Sequence, residues 1–404
     1  MKTDKGFDLA IIGGGMVGVT LARALAATRL RIALIEPQPQ THQVDGKFDL
    51  RVSAITRASQ RVFEALHVWQ GMQARRVSPF REMHVWEAQG REMHFDSADL
   101  SEPCLGHIIE NSVITASLYD GIEQQDNLEC LFGRRCQRLT KSDAGWQLQL
   151  DDGSALRADL LVGADGSRSW LRQQVGIAVR GWDYDHAALV TYVRTEKPHL
   201  ETAWQRFVNR GPLAFLPLCD GYSSIVWSTA PDNARRLREL DEAAFAEELA
   251  MAFATRLGRV LEVGPRATYP LRFLVADHYI QAGIALVGDA AHTVHPLAGQ
   301  GVNLGLLDAA ALAEVLHDAS KARRSIASLQ TLRRYERWRR SENLSMLVMV
   351  DQIQRLFGND QPMLQWLRTT GMNLVDHLPL VKDEIIEHAM GNRGDLPKLA
   401  RGIR

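Results

Sequence analysis

Gly13-Gly14-Gly15-Met16-Val17-Gly18 is the stretch that decides the fold. Before it stands Phe7-Asp8-Leu9-Ala10-Ile11-Ile12, a short apolar run of the kind that buried parallel strands carry. After it, from Met16 to Thr28, Val17, Leu21 and Leu25 recur at helical spacing among alanines. Leu30 to Ile35 is a second apolar run, closed by Glu36 and Pro37. The pattern predicts a strand–helix–strand unit of about thirty residues, the size a right-handed crossover requires. In that setting Gly13-x-Gly15-x-x-Gly18 reads as a dinucleotide fingerprint. Gly13 permits the tight turn, Gly15 lets a pyrophosphate approach the backbone, and Gly18 lets helix and strand pack closely. The helix N-terminus adds free N–H groups and a positive dipole end. Glu36 suits the ribose hydroxyls of an adenosine and disfavours a 2′-phosphate, so the site fits FAD or NAD rather than NADP.

Two more segments place a carboxylate after an apolar run. Asp165 follows Leu160-Leu161-Val162-Gly163-Ala164, and Asp289 follows Ala285-Leu286-Val287-Gly288. Ligands of open parallel sheets lie at the carboxyl ends of the strands. A carboxylate there suits a polyhydroxyl chain such as ribityl. Asp165-Gly166 also reads as a plain turn, and Asp289 as a helix N-cap. Pro296-Leu297-Ala298-Gly299-Gln300-Gly301 leads into a helix continuing past Asn303. A glycine-flanked helix start of this kind presents N–H groups to the negative charge of a reduced flavin. His292 and His295 read as structural histidines more readily than as bases.

The rest of the chain alternates between sheet and helix. Trp146 to Leu150, an Asp151-Asp152-Gly153 turn and Ala155 to Val162 predict a hairpin feeding a buried strand. Ala188 to Arg194, Leu213 to Leu218 and Ser224 to Ser228 predict strands of a second sheet. Helices are expected over Leu237 to Leu257 and Gly301 to His317, with a short strand at Ile284 to Val287. From Leu332 the chain is helical, with Arg333, Arg334, Arg337, Arg339 and Arg340 crowded ahead of Met346, Met349, Val350, Ile353, Leu356 and Phe357. That region suits either an anionic lipid surface or partner protein, or a charged face on an ordinary packed helix.

Composition narrows the class. The 404 residues are 46% hydrophobic and 24% charged, with net charge −1, which argues against a nucleic-acid binder. Cys104, Cys130, Cys136 and Cys219 form no CxxC pair and no Cys/His cluster, so neither zinc nor a disulfide framework is suggested and no metal is expected. The early first strand leaves no room for a secretion signal. No stretch approaches the roughly 18 uninterrupted apolar residues of a membrane span. The expected location is the cytoplasm, with peripheral contact at the inner membrane left open.

These segments together resemble the class A flavoprotein aromatic monooxygenases, the family of para-hydroxybenzoate hydroxylase, and within it the ubiquinone-biosynthesis hydroxylases. Further matching stretches are Arg51-Val52-Ser53-Ala54-Ile55, Gly106 to Val113, Leu286 to Gly305 and Arg333-Arg334-Tyr335-Glu336-Arg337. Leu105-Gly106-His107 and Trp182 to His186 are similar to the subgroup that hydroxylates 2-octaprenylphenol. The resemblance implies an α/β fold: a discontinuous Rossmann-like FAD-binding domain of the para-hydroxybenzoate hydroxylase type over 1–75, 101–178 and 275–331. An α+β substrate domain over 76–100 and 179–274 is inserted in it, and 332–404 form a helical C-terminus. It implies FAD as cofactor, NAD(P)H as transient reductant, and dioxygen and a polyprenylated phenol as substrates, with hydroxylation by way of a flavin hydroperoxide.

By the same resemblance, Gly13, Gly15, Gly18, Glu36, Arg51, Asn111, Asp165, Gly288, Asp289, Gly299, Gly301 and Asn303 bind the cofactor. Arg51, Pro296, Gly299, Gln300 and Gly301 lie at the reacting flavin. Asp165 is placed at the pyrophosphate and Asp289 at the ribityl chain. The chain departs from the family in having no tyrosine pair assignable as a phenol relay, and it carries no second dinucleotide fingerprint for NADPH. Trp182, Tyr192, Phe207, Phe215 and Trp227 are candidates for an apolar substrate channel, though most read as ordinary core. Rival readings are a halogenase, whose Trp-x-Trp signature is absent, a prenyl-chain reductase, and a non-catalytic flavin-bearing assembly subunit of a ubiquinone-biosynthesis complex.

Overall fold

A computed structural model describes residues 5–39, 44, 46–87, 92–142, 145–208, 211–293, 300–357, 391 and 394–403. The chain starts as β1 (Lys5–Ile12), α1 (Met16–Ala24) and β2 (Ile32–Glu36). It continues through β3 (Val52–Thr56), α2 (Arg57–Ala65), α3 (Trp69–Arg75) and β4 (Ser78–Phe80) to a hairpin of β5 (Glu82–Glu87) and β6 (Glu92–Asp96). β7 (Gly106–Glu110), α4 (Asn111–Tyr119), β8 (Leu128–Phe132), β9 (Cys136–Ser142), β10 (Gly145–Leu150), β11 (Ala155–Gly163) and α5 (Trp170–Gln174) follow. Next come β12 (Val179–Thr195), β13 (Thr202–Val208), β14 (Gly211–Pro217), β15 (Tyr222–Thr229), α6 (Pro231–Glu239), α7 (Glu242–Ala252), β16 (Val260–Val263) and β17 (Ala267–Ala276). The last are β18 (Ile280–Gln281), β19 (Ile284–Leu286), β20 (His292–Thr293), α8 (Gln300–Lys321) and α9 (Leu329–Phe357).

One sheet runs β18-β19-β11-β1-β2-β8, with the β9–β10 hairpin attached to β11. β1 lies parallel to both β2 and β11, β2 to β8, and β11 to β19. From β1 the order runs one way through β2 and β8 and the other way through β11 and β19. The reversal falls between β1 and β11, the switch point at which open α/β sheets bind ligands. Leu9, Ala10 and Ile11 are fully buried, as are Leu160, Leu161 and Val162 beside them in register. Each such larger apolar side chain contributes about 1.5–3 kcal/mol on burial.

The second sheet runs β20-β17-β12-β15-β14-β13-β5-β6, with β16 on β12. It draws strands from 82–96 and from 179–276, and so interleaves with the first sheet in sequence. β20 adds residues His292–Thr293 to it, so the 275–331 segment serves both sheets. A small third sheet, β3-β7-β4, bridges them.

Local chemistry moves some expected boundaries. α1 stops at Ala24, short of Thr28, and Asn127 Nδ2 donates to the carbonyls of Leu25, Thr28 and Leu30 that close the turn. The single helix expected from Leu237 to Leu257 is two helices. Leu240 is extended, and Asp241 restarts the helix by accepting from the Ala244 N–H at 2.8 Å. The apolar spacing misled because Leu237, Phe245, Leu249, Phe253 and Leu257 share one core.

The arginine cluster also divides. Arg333, Arg334 and Arg337 are exposed, whereas Arg339 is buried against Asp308. Among the described residues no helix is long and apolar enough to cross a membrane. The side chains of Met349, Val350, Ile353, Leu356 and Phe357 lie outside the described set.

Candidate active site

The glycine turn is shaped by lack of room. Gly13 has φ +108°, and a Cβ on it would stand 2.3 Å from the Ala164 carbonyl oxygen. A Cβ on Gly18 would stand 2.0 Å from the oxygen of Gly13. Gly15 differs: nothing lies within 4 Å of where its Cβ would be. Gly15 caps α1 with no side-chain hydrogen bond, and no acidic residue occupies the first turn. The helix start therefore faces open space with unspent N–H groups, a fit for a pyrophosphate.

That space belongs to a cavity of about 560 Å³. Gly15, Met16, Arg51, Asn111, Asp289 and Gly301 line it, as do Ala164, Gly166, Ser167 and Arg168 around Asp165. The turns after β1, β11 and β19 thus meet at one opening, with the starts of α4 and α8 beside them. Arg51 projects over the ring of Tyr269 at 5.6 Å, linking the cofactor side to β17 of the second sheet. Asn111 Oδ1 accepts from the Ser53 hydroxyl at 2.7 Å. Asp289 is solvent-accessible at the cavity, which it lines. Desolvation pushes its carboxyl up, and the neighbouring His292 and Arg51 oppose that rise.

Other expected residues serve the walls. Glu36 accepts from the N–H groups of Gly14 and Gln38 at 2.7 and 2.8 Å and is not among the lining residues. Asp165 accepts from the Leu171 N–H at 3.1 Å. Burial pushes its carboxyl up, against the pull of the Ser169 hydroxyl and the Leu171 N–H. Asn303 is buried and spends its amide on β3, accepting from Thr56 N–H and donating to the Ala54 carbonyl. Its side chain ties α8 to β3 rather than reaching the cavity. Gly288 has φ +58° and packs on Val17 of α1. Pro296, Gly299 and His295 lie outside the described residues, as does the Gln300 side chain.

Sequence reasoning missed two groups that hold these turns together. Buried Arg172 donates to the carbonyls of Ser167 and Ala290, both at 2.8 Å, and so joins the Asp165 and Asp289 turns. Fully buried Asp308 accepts from Gly288 N–H at 3.1 Å, His292 Nε2 at 2.6 Å, Arg339 Nε at 2.9 Å and Asn343 Nδ2 at 3.0 Å. Burial alone would raise the Asp308 carboxyl, but His292 and Arg339 hold it below the usual carboxylate range. His292 Nε2 is thus engaged with Asp308. The only signal for Asp308 was a carboxylate on the apolar side of a helix, which periodicity alone cannot pair with a partner.

The cavity wall opposite the glycine turn is apolar. Ala188 and Val190 of β12, Val226 of β15, and Leu271 with Tyr269 of β17 form it. The expected aromatic candidates lie elsewhere: Phe215 and Trp227 are core on the other sheet face, and Phe207 is also buried. Trp182 is exposed and stacks on Phe273, and Tyr192 packs against Phe48. Strand alternation explains this, because Val226 faces the cavity and its neighbours Ile225 and Trp227 face the core.

Comparison with known proteins agrees with this geometry. The chain matches the FAD binding domain family over residues 7–346. It is 37% identical over 390 residues to a 3-demethoxyubiquinol 3-hydroxylase of Escherichia coli (strain K12), covering 96% of this chain and 100% of that one. It is 34% identical over 434 residues to the mitochondrial ubiquinone biosynthesis monooxygenase COQ6 of Xenopus tropicalis, covering 95% and 93%. The fold superposes on p-nitrophenol 4-monooxygenase PnpA of Pseudomonas putida DLL-E4 with TM-score 0.80 at 18% identity, covering 97% and 100%. The chain belongs to the FAD-binding class A flavoprotein monooxygenases, in the family of the ubiquinone-biosynthesis hydroxylases.

Proposed function

We propose that this monooxygenase hydroxylates the aromatic ring of a polyprenylated phenol in ubiquinone biosynthesis, using NADPH or NADH and dioxygen. The observation that carries the reading is a single cavity with a glycine-and-carboxylate wall on one side and an apolar wall on the other. FAD, when bound, supplies hydride acceptance and oxygen activation. The chain does the rest. Gly13, Gly15 and Gly18 with the α1 N-terminus hold the pyrophosphate, with Asp165 behind them, and Glu36 fixes the turn near the adenosine end. Asp289 accepts from the ribityl hydroxyls. Arg51 and Asn111 border the ring system, with Gly301 at the start of α8 beside it. The wall of Ala188, Val190, Val226, Leu271 and Tyr269 seats the apolar ring and keeps water from the reacting face.

The sequence resemblance pointed to the ring carbon served by the 2-octaprenylphenol hydroxylases. The Escherichia coli relative, whose name places its reaction at position 3 of a demethoxyubiquinol, favours that carbon instead. We also read the exposed Arg333, Arg334 and Arg337 as a contact for an anionic inner-membrane surface or a biosynthetic partner. The test is purified holoenzyme mixed with NADPH or NADH, dioxygen and each prenylated phenol in turn, with products read by mass spectrometry. Substrate-stimulated oxidation with one hydroxylated product is expected. Flavin present without substrate-stimulated turnover would favour the non-catalytic assembly subunit.

A further inference from the structure

We propose that the β5–β6 hairpin carries a binding site for one divalent transition-metal ion, zinc by ligand type, made by Glu82, His84 and His94. Among the described residues this is the one place where three metal-ligating side chains converge, their donor atoms within 4.8 Å of one another. His84 and His94 are directly opposed across the antiparallel pair, and Glu82 lies on the same face, two positions before His84. Glu82 Oε2 stands 3.0 Å from His94 Nε2 and 3.4 Å from His84 Nε2. A tetrahedral zinc with bonds of about 2.0–2.1 Å spaces its ligand atoms about 3.3 Å apart. The two Glu82–histidine separations lie close to that spacing.

The surroundings point to a cation. His84 Nδ1 is hydrogen-bonded to the Glu92 carboxylate, which fixes Nδ1 as the donor. Nε2 faces the Glu82 carboxylate, so both ring nitrogens of His84 stand against carboxylates. An ion between Nε2 and Glu82 would be held by one lone pair from each. A carboxylate behind the far nitrogen of a ligating imidazole is the usual outer support of a metal site.

Here that support is itself braced. Arg256 holds Glu92 at 2.7 Å and lies over the Trp204 ring, while Trp204 stacks on His84 at 4.5 Å. His94 stacks on the other histidine at 4.2 Å. Two imidazoles and one carboxylate suit zinc or a neighbouring first-row ion and leave a further coordination position open. The hairpin ends on β6, the edge of its sheet, away from the glycine turns, so the ion acts as a clamp on a free edge.

The experiment uses tag-free, chelator-treated holoenzyme titrated calorimetrically with zinc chloride, with magnesium chloride as control. One zinc per chain is expected, with affinity on the order of micromolar and a raised melting temperature. His94→Gln and Glu82→Gln should each weaken binding about tenfold or more and abolish the thermal shift. Glu92→Gln should weaken it about tenfold through loss of the support. FAD content and circular dichroism verify that each variant folds. Absence of saturable one-site zinc binding would overturn the proposal. So would unchanged affinity in both His94→Gln and Glu82→Gln.

Discussion

Replacing Asp308 with Asn tests whether the buried carboxylate under the Asp289 turn holds the site together. Asp308 and Arg339 are 0% and 2% exposed, so the guanidinium has almost no water to fall back on. The carboxylate also takes donors from Gly288, His292 and Asn343. An amide offers one acceptor oxygen and points its NH₂ at some of those donors. Removing one partner of a buried ion pair costs about 3–5 kcal/mol, and the donor mismatch places Asp308→Asn toward the upper end. Arg339→Met alone leaves Asp308 with His292 and should cost less. In the double variant the stranded guanidinium is gone, so the cycle should show a coupling of about 1–3 kcal/mol. Urea unfolding followed by circular dichroism measures each cost.

Sign matters as well. The folded-state carboxyl of Asp308 is depressed, so its contribution is present above the unfolded carboxylate pKa and is lost as pH falls through the folded value. The gap between wild type and Asp308→Asn should therefore narrow in acid. An Asp308→Asn protein within about 1 kcal/mol of wild type, or a strictly additive cycle, would refute the assignment.

Three further outcomes are expected. Gly13→Ala should give a colourless protein, because φ +108° and the Ala164 carbonyl exclude a methyl group; retention of flavin absorbance would contradict the turn geometry. Val226→Phe should raise KM for a prenylated phenol several-fold while leaving FAD content unchanged, since Val226 lies on the apolar wall; an unchanged KM would move the substrate elsewhere. Desolvation, aided by Arg57, lowers buried His107 to about 4. Its neutral form thus stabilises the fold above about pH 6.5 and loses up to about 3 kcal/mol as pH falls toward 4. His107→Gln should flatten that part of the stability–pH curve, and an equally steep curve would assign the effect to another group.

Much of the cofactor wall was legible because its logic is local. A strand, a glycine turn and a helix are neighbours in sequence, so Gly13, Gly15 and Gly18 announce their backbone roles directly. Asp165 and Asp289 were singled out by the same local rule, each carboxylate following an apolar run; Asp289 lines the cavity, and Asp165 sits behind the lining residues Gly166 to Arg168. Arg172 and Asp308 escaped because their partners lie far along the chain, and an arginine or aspartate in a helix looks like surface until the tertiary contact is seen. The bonds that the Asn303 amide makes to β3 were likewise hidden, because β3 is remote in sequence. The apolar wall was missed because large aromatic residues drew attention, while the cavity is lined mainly by small and branched ones on alternate strand positions. Glu82, His84 and His94 became visible only when two strands were laid in register.

The short β20 strand binds His292 and Thr293 to Val275 and Leu274 of the second sheet, while Asp289, just upstream, opens on the cofactor cavity. The stretch 289–293 is thus shared between the cavity and the second sheet. A substitution there would be felt at both ends at once, as a loosened grip on the nucleotide and as a shifted seat for the ring to be oxidised.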